Sequence, residues 1–427
     1  MITSCSSGVE GQLPTSQTDI KIALLTGCRD RHYAFGLITA LISRGLCLDV
    51  IGSDEIDSPA LHRSSSLRFL EFERWPARNV NVVKKAFRLL NYYARLIPYA
   101  AAAKPEIFHI LWNYRLEYFD RTLLMLYYKL LGKKLVLTAH NINAGKRDSN
   151  DTWLNRLTLR IQYRLTDHFF VHTSKMKTEL VNDFHVPEQS ITLVPFGINN
   201  ALPERGLTRA EARQQLGISD SDKTILFFGN LGPYKGVDLL VTAFQRIAAT
   251  NAKYRLIIAG KPRGGCEKYV AEIEQAIRNS GIQNQVQLSI GFVPDDLLEA
   301  YFKAADLLVL PYRFISQSAV LFMGYSFGLP IVATDVGCFS EDVIEGRTGF
   351  VCKPDDPVDL AGTIERYFAS ELYQSLDNRR QEIRDYANER YSWEKVSELT
   401  LNAYKGLLQN REPVHPRADN LQTENRI

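Results

Sequence analysis

The sequence has little of what marks several classes of protein. No apolar run approaches the roughly 18 to 20 residues that span a bilayer. The first residues, MITSCSSGVEGQLPTSQTD, lack the basic and apolar regions of a signal peptide. The six cysteines of the 427-residue chain are scattered, with no CxxC pair and no metal-type spacing. The net charge of +3 gives no global sign of nucleic-acid binding. These absences predict reduced thiols and a cytoplasmic chain with no integral membrane segment.

What the chain does contain is a repeated alternation of short apolar runs and longer helical patterns. Runs of four to eight residues rich in Val, Ile, Leu and Phe are typical of strands buried on both faces. They lie at 20–26, 48–54, 107–112, 134–140, 168–173 and 191–197, and again at 224–229, 254–260, 286–291, 307–312 and 331–336. Repeated strand–helix units predict an α/β chain with two doubly wound parallel sheets, whose ligands bind beyond the carboxyl ends of the strands.

The two series of runs meet at a polar, proline-containing turn near residue 200. A new helix is predicted just after it, because Thr208 and Glu211 form a capping-box pattern. We therefore predict five parts of the chain. They are a mobile lead-in (1–19), a first Rossmann-like domain (20–199), a second such domain (200–390), a helix returning to the first domain (391–410) and a disordered tail (411–427).

Several segments in register carry a family resemblance. In the second half they are LFFGNLGPYKGVDLLVTAF (226–244), LIIAGK (256–261), VLPYRFISQSAVLFMGYSFGLPIVATDVGCFSEDVIEGRTGF (309–350) and YSWEKV (391–396). In the first half they are TGCRDRHYAFG (26–36) and TAHN (138–141). Together they resemble the family 4 retaining glycosyltransferases, which have the GT-B architecture of two Rossmann-like domains facing across a cleft.

The resemblance implies an activity for each domain. The second domain would bind a nucleotide-sugar donor, and the first would face a glycan or lipid-linked acceptor. Transfer would retain the anomeric configuration and would serve polysaccharide or glycoconjugate biosynthesis. No protein nucleophile is needed, because the departing diphosphate takes the acceptor's proton. No DxD-like signature stands out, so we expect no metal and no cofactor besides the nucleotide sugar as co-substrate.

The segment GNLGPYKG (229–236) follows an apolar strand and opens a helix. Glycines let the backbone approach a phosphate, and a helix N-terminus adds partial positive charge. We therefore expect the donor phosphates at Gly229, Asn230, Gly232 and Lys235, with Lys235 also in a catalytic role. The alternative is a surface lysine beside a tight turn. Family members commonly have a basic residue where Asn230 stands, so one cation is missing here.

A second departure lies in the segment RFISQSAVLF. Many family members have two glutamates eight positions apart, and here those positions hold Ile315 and Met323. The polar groups that remain as candidates for the donor are Arg313, Ser316, Gln317 and Ser318. The alternative is that Ser316 only caps the following helix. Either the chain holds the donor with hydroxyl, amide and backbone groups, which we favour, or it is a non-catalytic member that binds nucleotide sugars or acts as a scaffold.

The first domain contributes the remaining candidates. Gly27, Arg29 and Arg31 are predicted to meet the donor phosphates across the cleft, with one arginine replacing the missing cation. His140 ends a strand and is predicted to be catalytic, near the transferred sugar or the acceptor; a structural histidine is the alternative. The acceptor side is expected to include His32, Asn141 and Asn143, with Arg147 and Asp148 in the same loop.

Three further inferences concern Glu341, a rival reaction and a basic helix. Glu341 is expected beside the donor cleft, either touching the ligand or ordering its loop. Epimerisation of a nucleotide sugar is the rival reaction, but it needs an acid and a base carboxylate, and no convincing pair is present. The segment 82–104 has five basic residues and no acid, with a basic face and an apolar face. It is either a peripheral contact with an anionic membrane or an ordinary solvated helix.

Overall fold

The computed structural model describes residues 20–59, 61–74, 81–147, 151–197 and 206–409. The predicted lead-in, the predicted tail, the domain boundary near residue 200 and Asp148 lie outside the described residues. No helix in the described part is long and apolar enough to cross a membrane.

The described strands form two sheets in which every pair of neighbouring strands is parallel. The first sheet has the order β3-β2-β1-β4-β5-β6-β7. Its strands are β1 (Lys21–Leu25), β2 (Cys47–Ser53), β3 (Leu67–Glu73), β4 (Ile107–Ile110), β5 (Lys134–Thr138), β6 (His168–Val171) and β7 (Ile191–Leu193). The second sheet has the order β10-β9-β8-β11-β12-β13. Its strands are β8 (Lys223–Phe228), β9 (Tyr254–Gly260), β10 (Val286–Ile290), β11 (Leu307–Leu310), β12 (Ile331–Thr334) and β13 (Gly349–Cys352).

Helices connect the strands and cover both faces of each sheet. Those of the first half are α1 (Arg31–Ser43), α2 (Val82–Ala102), α3 (Glu117–Phe119), α4 (Met125–Leu130), α5 (Ala144–Arg147), α6 (Trp153–Leu165) and α7 (Ser174–Phe184). Those that follow are α8 (Arg209–Leu216), α9 (Val237–Thr250), α10 (Glu267–Asn279), α11 (Asp295–Ala304), α12 (Ala319–Ser326), α13 (Phe339–Asp342), α14 (Pro357–Ala369), α15 (Glu371–Gln374), α16 (Leu376–Tyr391) and α17 (Trp393–Gln409). A π-helical segment, Asp120–Leu124, joins α3 to α4.

The predicted fold class is confirmed, and so is the capping box, in which Thr208 and Glu211 bond reciprocally at the start of α8. Two strands, β3 and β13, were not predicted from the sequence, and each lies at one edge of its sheet. The first, LRFLEFE, alternates charged and apolar residues and is only partly buried. The second has four residues and begins with a glycine. Neither has the continuous apolar run that identified the central strands.

The last helix, α17, packs on the first sheet's side of the molecule, against α1. The Tyr404 hydroxyl lies 2.6 Å from Nδ1 of His109 in β4, and Arg44 donates to the carbonyl oxygen of Glu394 at 3.2 Å. At the start of the helix, the Trp393 ring lies against Gly36 of α1 and against Gly197. A Cβ atom added at Gly36 would come within 2.2 Å of the indole ring. Helix α17 therefore packs on the first sheet.

This contact predicts that Gly36→Ala destabilises the protein, although alanine is the better helix former. The new methyl group must displace the Trp393 ring, and overpacking of this kind costs about 1–3 kcal/mol. The matched control is Gly362→Ala, also inside a helix but with open space around its Cβ position. That change should raise the free energy of unfolding by about 0.5–1 kcal/mol. Urea unfolding measures both, and an equal effect of the two substitutions would contradict the packing described here.

Candidate active site

The carboxyl ends of the two sheets meet along a cleft crossed by direct contacts. Phe196, just after β7, stacks on Phe322 of α12 with ring centroids 5.2 Å apart. Glu341 of α13 accepts the backbone N–H groups of Ser174 and Lys175, at 3.1 and 3.3 Å, at the N-terminus of α7. A carboxylate there is stabilised by the helix dipole. The loops after the strands of both sheets therefore line one common space.

Two loops of the second sheet are held together by one arginine. The guanidinium group of Arg313 binds both carboxylate oxygens of Asp238, at 2.8 and 2.7 Å, and the Asp355 carboxylate at 2.7 Å. It also donates to the carbonyl oxygen of Pro233, and its backbone N–H donates to that of Tyr234. Arg313, predicted to touch the donor, is thus engaged with protein partners. It joins the loop 229–236 to the loop 311–318.

Lys235 is fixed by this junction. Its Nζ atom lies 3.6 Å from the ring centroid of Tyr312 and 5.3 Å from that of Tyr234, and the residue is 7% exposed. The next residue, Gly236, has φ +62° and approaches the carbonyl oxygen of Pro311 so closely that a Cβ would lie 1.9 Å away. Gly229 and Gly232 of the same loop are partly exposed and buried, respectively, whereas Asn230 is exposed. A buried ammonium group between two aromatic rings is a defined point charge at the edge of this loop.

The segment that lacks the family's glutamates leads into α12. Ile315 and Met323 pack against the core of the second domain. Ser318 precedes the helix, is buried, and makes no side-chain cap bond. Ser316 is half-buried, and the Oε1 atom of Gln317 is buried without a hydrogen-bond partner in the described structure. A buried hydrogen-bond acceptor without a partner carries a desolvation cost. A hydrogen-bond donor on a bound ligand would remove that cost.

On the facing sheet, the loop after β1 turns sharply before α1. Gly27 has φ +59°, and a Cβ there would come within 2.5 Å of the Trp112 carbonyl oxygen. Arg29 donates to the Tyr114 carbonyl oxygen and to Glu117, both at 3.3 Å. Arg31 and His32 begin α1 and are exposed, with Nε of Arg31 at 3.5 Å from Nε2 of His32. Arg29 therefore reaches to the loop after β4, whereas Arg31 lies beside His32 at the start of α1.

His140 lies in an aromatic cluster, stacked on Trp112 at 4.2 Å and edge-on to Tyr33 at 4.7 Å. Its Nδ1 atom is 3.3 Å from Nε2 of His172, whose Nδ1 is 3.2 Å from the carbonyl oxygen of Val194. A carbonyl oxygen only accepts, so Nδ1 of His172 carries a proton. Burial lowers the pKa of His172 to about 4, so at neutral pH its Nε2 atom is unprotonated and can accept a hydrogen bond.

The same logic fixes the state of His140. The Nδ1–H group of His140 must donate to the lone pair of His172. Burial lowers the pKa of His140 well below the usual value, and the neighbouring His172 and His109 lower it further. The Nε2 atom of His140 is then unprotonated as well and has a free lone pair. It is buried without a hydrogen-bond partner in the described structure. The pair forms a directed chain, from His140 through His172 to Val194, that presents a neutral acceptor.

The residues predicted on the acceptor side do not act alike. Asn143 is buried and structural, because it bonds Asp151 at 2.9 Å, the Gly145 N–H at 3.1 Å and Asn155 at 2.9 Å. Asn141 is half-buried beside His140. The backbone of Arg147 ends α5.

Among the described residues no group of three or more His, Cys, Asp or Glu side chains is arranged to hold a metal ion.

The cleft also contains a cavity of about 660 Å³ that was not predicted from the sequence. Both domains contribute to its wall, which includes Arg29, Arg115, Glu117, Arg121 and Arg263. Three of these arginines were not singled out from the sequence. The segment WNYRLEYFDR, directly after a buried strand, carried the signal for two of them, because side chains at the carboxyl end of a parallel strand face the ligand.

Two family models match the chain. The model described as glycosyl transferases group 1 matches residues 208–390, and the model of glycosyltransferase family 4 matches residues 32–202. The chain belongs to the family 4 glycosyltransferases. The resemblance found in the sequence is confirmed, and the boundary between the two matches falls close to the predicted turn near residue 200.

Curated relatives are similar over part of their length. An uncharacterised glycosyltransferase of Methanocaldococcus jannaschii is 28% identical over 239 residues, which are 55% of this chain and 58% of the relative. A D-inositol 3-phosphate glycosyltransferase of Acidothermus cellulolyticus is 27% identical over 251 residues, 57% of this chain and 54% of the relative. The match thus spans little more than half the length of these relatives.

Solved structures show the same fold. Sucrose-phosphate synthase of Thermosynechococcus elongatus superposes with a TM-score of 0.73 at 19% identity, covering 92% of this chain and all of that one. The Anabaena protein HepE, in complex with UDP and glucose, gives 0.68 at 18% identity and covers 91% of this chain and all of that one. These likenesses establish the GT-B architecture of this family member.

The histidine chain can be observed directly. Nitrogen chemical shifts of labelled protein at pH 7 should show His140 and His172 neutral, each with the proton on Nδ1. Both should stay neutral at pH 6, since burial lowers the pKa of His172 to about 4 and that of His140 well below its usual value. In a His172→Phe variant His140 loses the acceptor for its Nδ1 proton and should show a mixture of tautomers. A proton on Nε2 of His140 in the unmodified protein would contradict the arrangement.

Proposed function

We propose that this protein transfers a hexose from a nucleotide-sugar donor to a glycan or lipid-linked acceptor, with retention of configuration. The observation that carries the proposal is the position of Lys235, a buried cation at the junction of the loops 229–236 and 311–318. Family membership supplies the class of chemistry. The solved HepE complexes contain UDP, glucose or UDP-glucose, which supports a nucleotide sugar as the donor.

The proposed mechanism assigns the protein the tasks of positioning and charge stabilisation. Lys235 and the backbone of loop 229–236 would meet the diphosphate as negative charge develops on it, as preorganised dipoles and cations do in enzymes of other classes. His140 would accept a hydrogen bond from a sugar or acceptor hydroxyl at its unpaired Nε2. The leaving diphosphate would take the acceptor's proton on the same face of the sugar. No metal is required in this scheme.

A second candidate function is non-catalytic binding of nucleotide sugars. The specific observation in its favour is that Ile315 and Met323 stand where many relatives have carboxylates, and both pack against the domain core. The two candidates share the donor site and differ only in turnover.

The donor site predicts a selective response to nucleotides. Thermal unfolding in the presence of UDP, GDP or ADP should show stabilisation by one of them, since a ligand at 100 times its Kd adds about 2.7 kcal/mol. A Lys235→Met variant should lose most of this shift because the diphosphate loses a charge-assisted contact.

The matched control for that variant is Lys223→Met. Lys223 also lies over aromatic rings, those of Tyr254 and Phe368, but at the amino end of β8, away from the cleft. Its loss should leave the nucleotide shift unchanged. Equal loss in both variants, or no stabilisation by any nucleotide, would count against the donor site.

A membrane-proximal acceptor is supported by the exposed face of α2. The apolar side chains of Val82, Phe87 and Leu90 are 76, 71 and 68% exposed. On the basic side, Arg95 contacts the protein, because it donates to the Glu71 carbonyl oxygen and lies over the Phe72 ring at 4.7 Å, whereas Lys84 and Lys85 are exposed. An amphipathic helix with its apolar side outward and lysines beside it suits the surface of an anionic bilayer. We therefore propose peripheral attachment through α2.

Vesicle flotation tests this attachment. The protein should float with vesicles of phosphatidylglycerol and phosphatidylcholine, and Phe87→Glu combined with Leu90→Glu should reduce the bound fraction at least tenfold. Burial of two such side chains is worth about 3–6 kcal/mol. The control is Val358→Glu, which changes an apolar side chain that is 55% exposed in the other domain. Flotation that is equal for all three proteins, or absent from all, would exclude α2 as the membrane contact.

A further inference from the structure

We propose that the arginine-lined cavity binds a phosphate or diphosphate group of the acceptor. The inference rests on the proposed transferase function and names the chemistry of its second substrate. The cavity lies between the domains at the carboxyl ends of the strands, and its volume of about 660 Å³ is within the range of small-molecule sites.

The charge of the wall is the first argument. Four guanidinium groups, those of Arg29, Arg115, Arg121 and Arg263, line the cavity together with one carboxylate, Glu117. A second carboxylate, Glu73, binds Arg115 at 2.8 Å. Arg29 and Arg121 share one carboxylate, that of Glu117, so this part of the wall has more positive than negative charge. A phosphate group would bring negative charge to these two guanidinium groups, and the planar fork of a guanidinium group matches its oxygens.

The second argument is an unsatisfied donor. Arg121 is only 8% exposed, and its terminal nitrogens are engaged with Asn155 at 2.9 Å and Glu117 at 2.8 Å. Its Nε–H group is buried and has no hydrogen-bond partner in the described structure. Buried donors are nearly always paired, and a donor on a charged group is costly to leave unpaired. An anionic oxygen in the cavity would supply the missing acceptor.

The cavity is separate from the residues assigned to the donor. Of those, only Arg29 lines it, and neither Lys235 nor the glycines of loop 229–236 do so. Arg263, which follows β9, is the contribution of the second domain, and its guanidinium carbon lies 5.4 Å from the Tyr234 ring centroid. The wall also includes Leu116, Tyr118 and Phe119, which offer an apolar surface beside the charged one. A phosphorylated acceptor would thus lie on the first domain and be touched by the second.

Calorimetry with two probes tests this site. Inorganic diphosphate and farnesyl diphosphate in detergent micelles share a charged group and differ in the hydrocarbon chain. Each is titrated alone and in the presence of the nucleoside diphosphate that stabilises the protein most. We expect diphosphate to bind the protein already saturated with nucleotide. Binding of farnesyl diphosphate at least tenfold tighter would indicate a lipid-linked acceptor, and equal binding a soluble phosphorylated one.

The variant Arg29→Gln with Arg263→Gln removes two of the cations while leaving the buried Arg121 in place. Its Kd for diphosphate, measured with nucleotide present, should rise at least tenfold. The control is Arg366→Gln, because the exposed pair of Arg366 with Glu345 resembles that of Arg29 with Glu117. It should bind diphosphate as the unmodified protein does.

Three results would overturn the proposal. They are no binding of either probe at millimolar concentration, an unchanged Kd in the double variant, and displacement of the probes by nucleotide, which would assign the cavity to the donor. Failure of the donor proposal is seen separately. If no nucleotide binds, that proposal fails, while the dependence of diphosphate affinity on the two arginines still decides the acceptor site.

Discussion

Packing of aromatic rings between the two sheets is the constraint on which the cleft depends. Tyr33 contacts Phe196 and Trp393, at 5.2 and 5.1 Å between centroids, and Phe196 stacks in turn on Phe322 of the other domain. The path continues from Phe322 to Tyr391 at 4.8 Å. The rings thus join α1, the segment after β7 and the N-terminus of α17. Because His140 lies in the same cluster, the packing that joins the domains also positions a candidate catalytic group.

Polar and charged groups around the cleft fall into two kinds. Some are held by protein partners, as Arg313 is by Asp238 and Asp355, and as Glu341 is by the N-terminus of α7. These fix the loops and the distance between the domains. Others retain unpaired polar atoms, namely Nε2 of His140 and Nε of Arg121. Preorganised groups with unmet hydrogen-bonding capacity are what a ligand would complete.

The fold could be predicted from the sequence because its central strands are continuous apolar runs and its helices are long. The edge strand β3 was not predicted because charged residues interrupt it, and β13 because its apolar run has only three residues, between Gly349 and Lys353. The site was harder to predict. Position along the chain made Lys235 and His140 candidates. Whether Arg313 faces a ligand depends instead on its contact with Asp238, which lies 75 residues away in the sequence. The cavity with Arg121 and Arg263 likewise forms only when the domains meet.

We propose a retaining transferase that needs neither the two missing glutamates nor a metal. The most direct measurement is proton NMR of an α-linked nucleotide sugar, the one that binds best, incubated with the protein and EDTA without an acceptor. Water then replaces the acceptor in a slow side reaction. A retaining transferase should consume the donor and release the sugar first as the α anomer. First appearance of the β anomer, or no consumption beyond the rate without protein, would contradict the proposal.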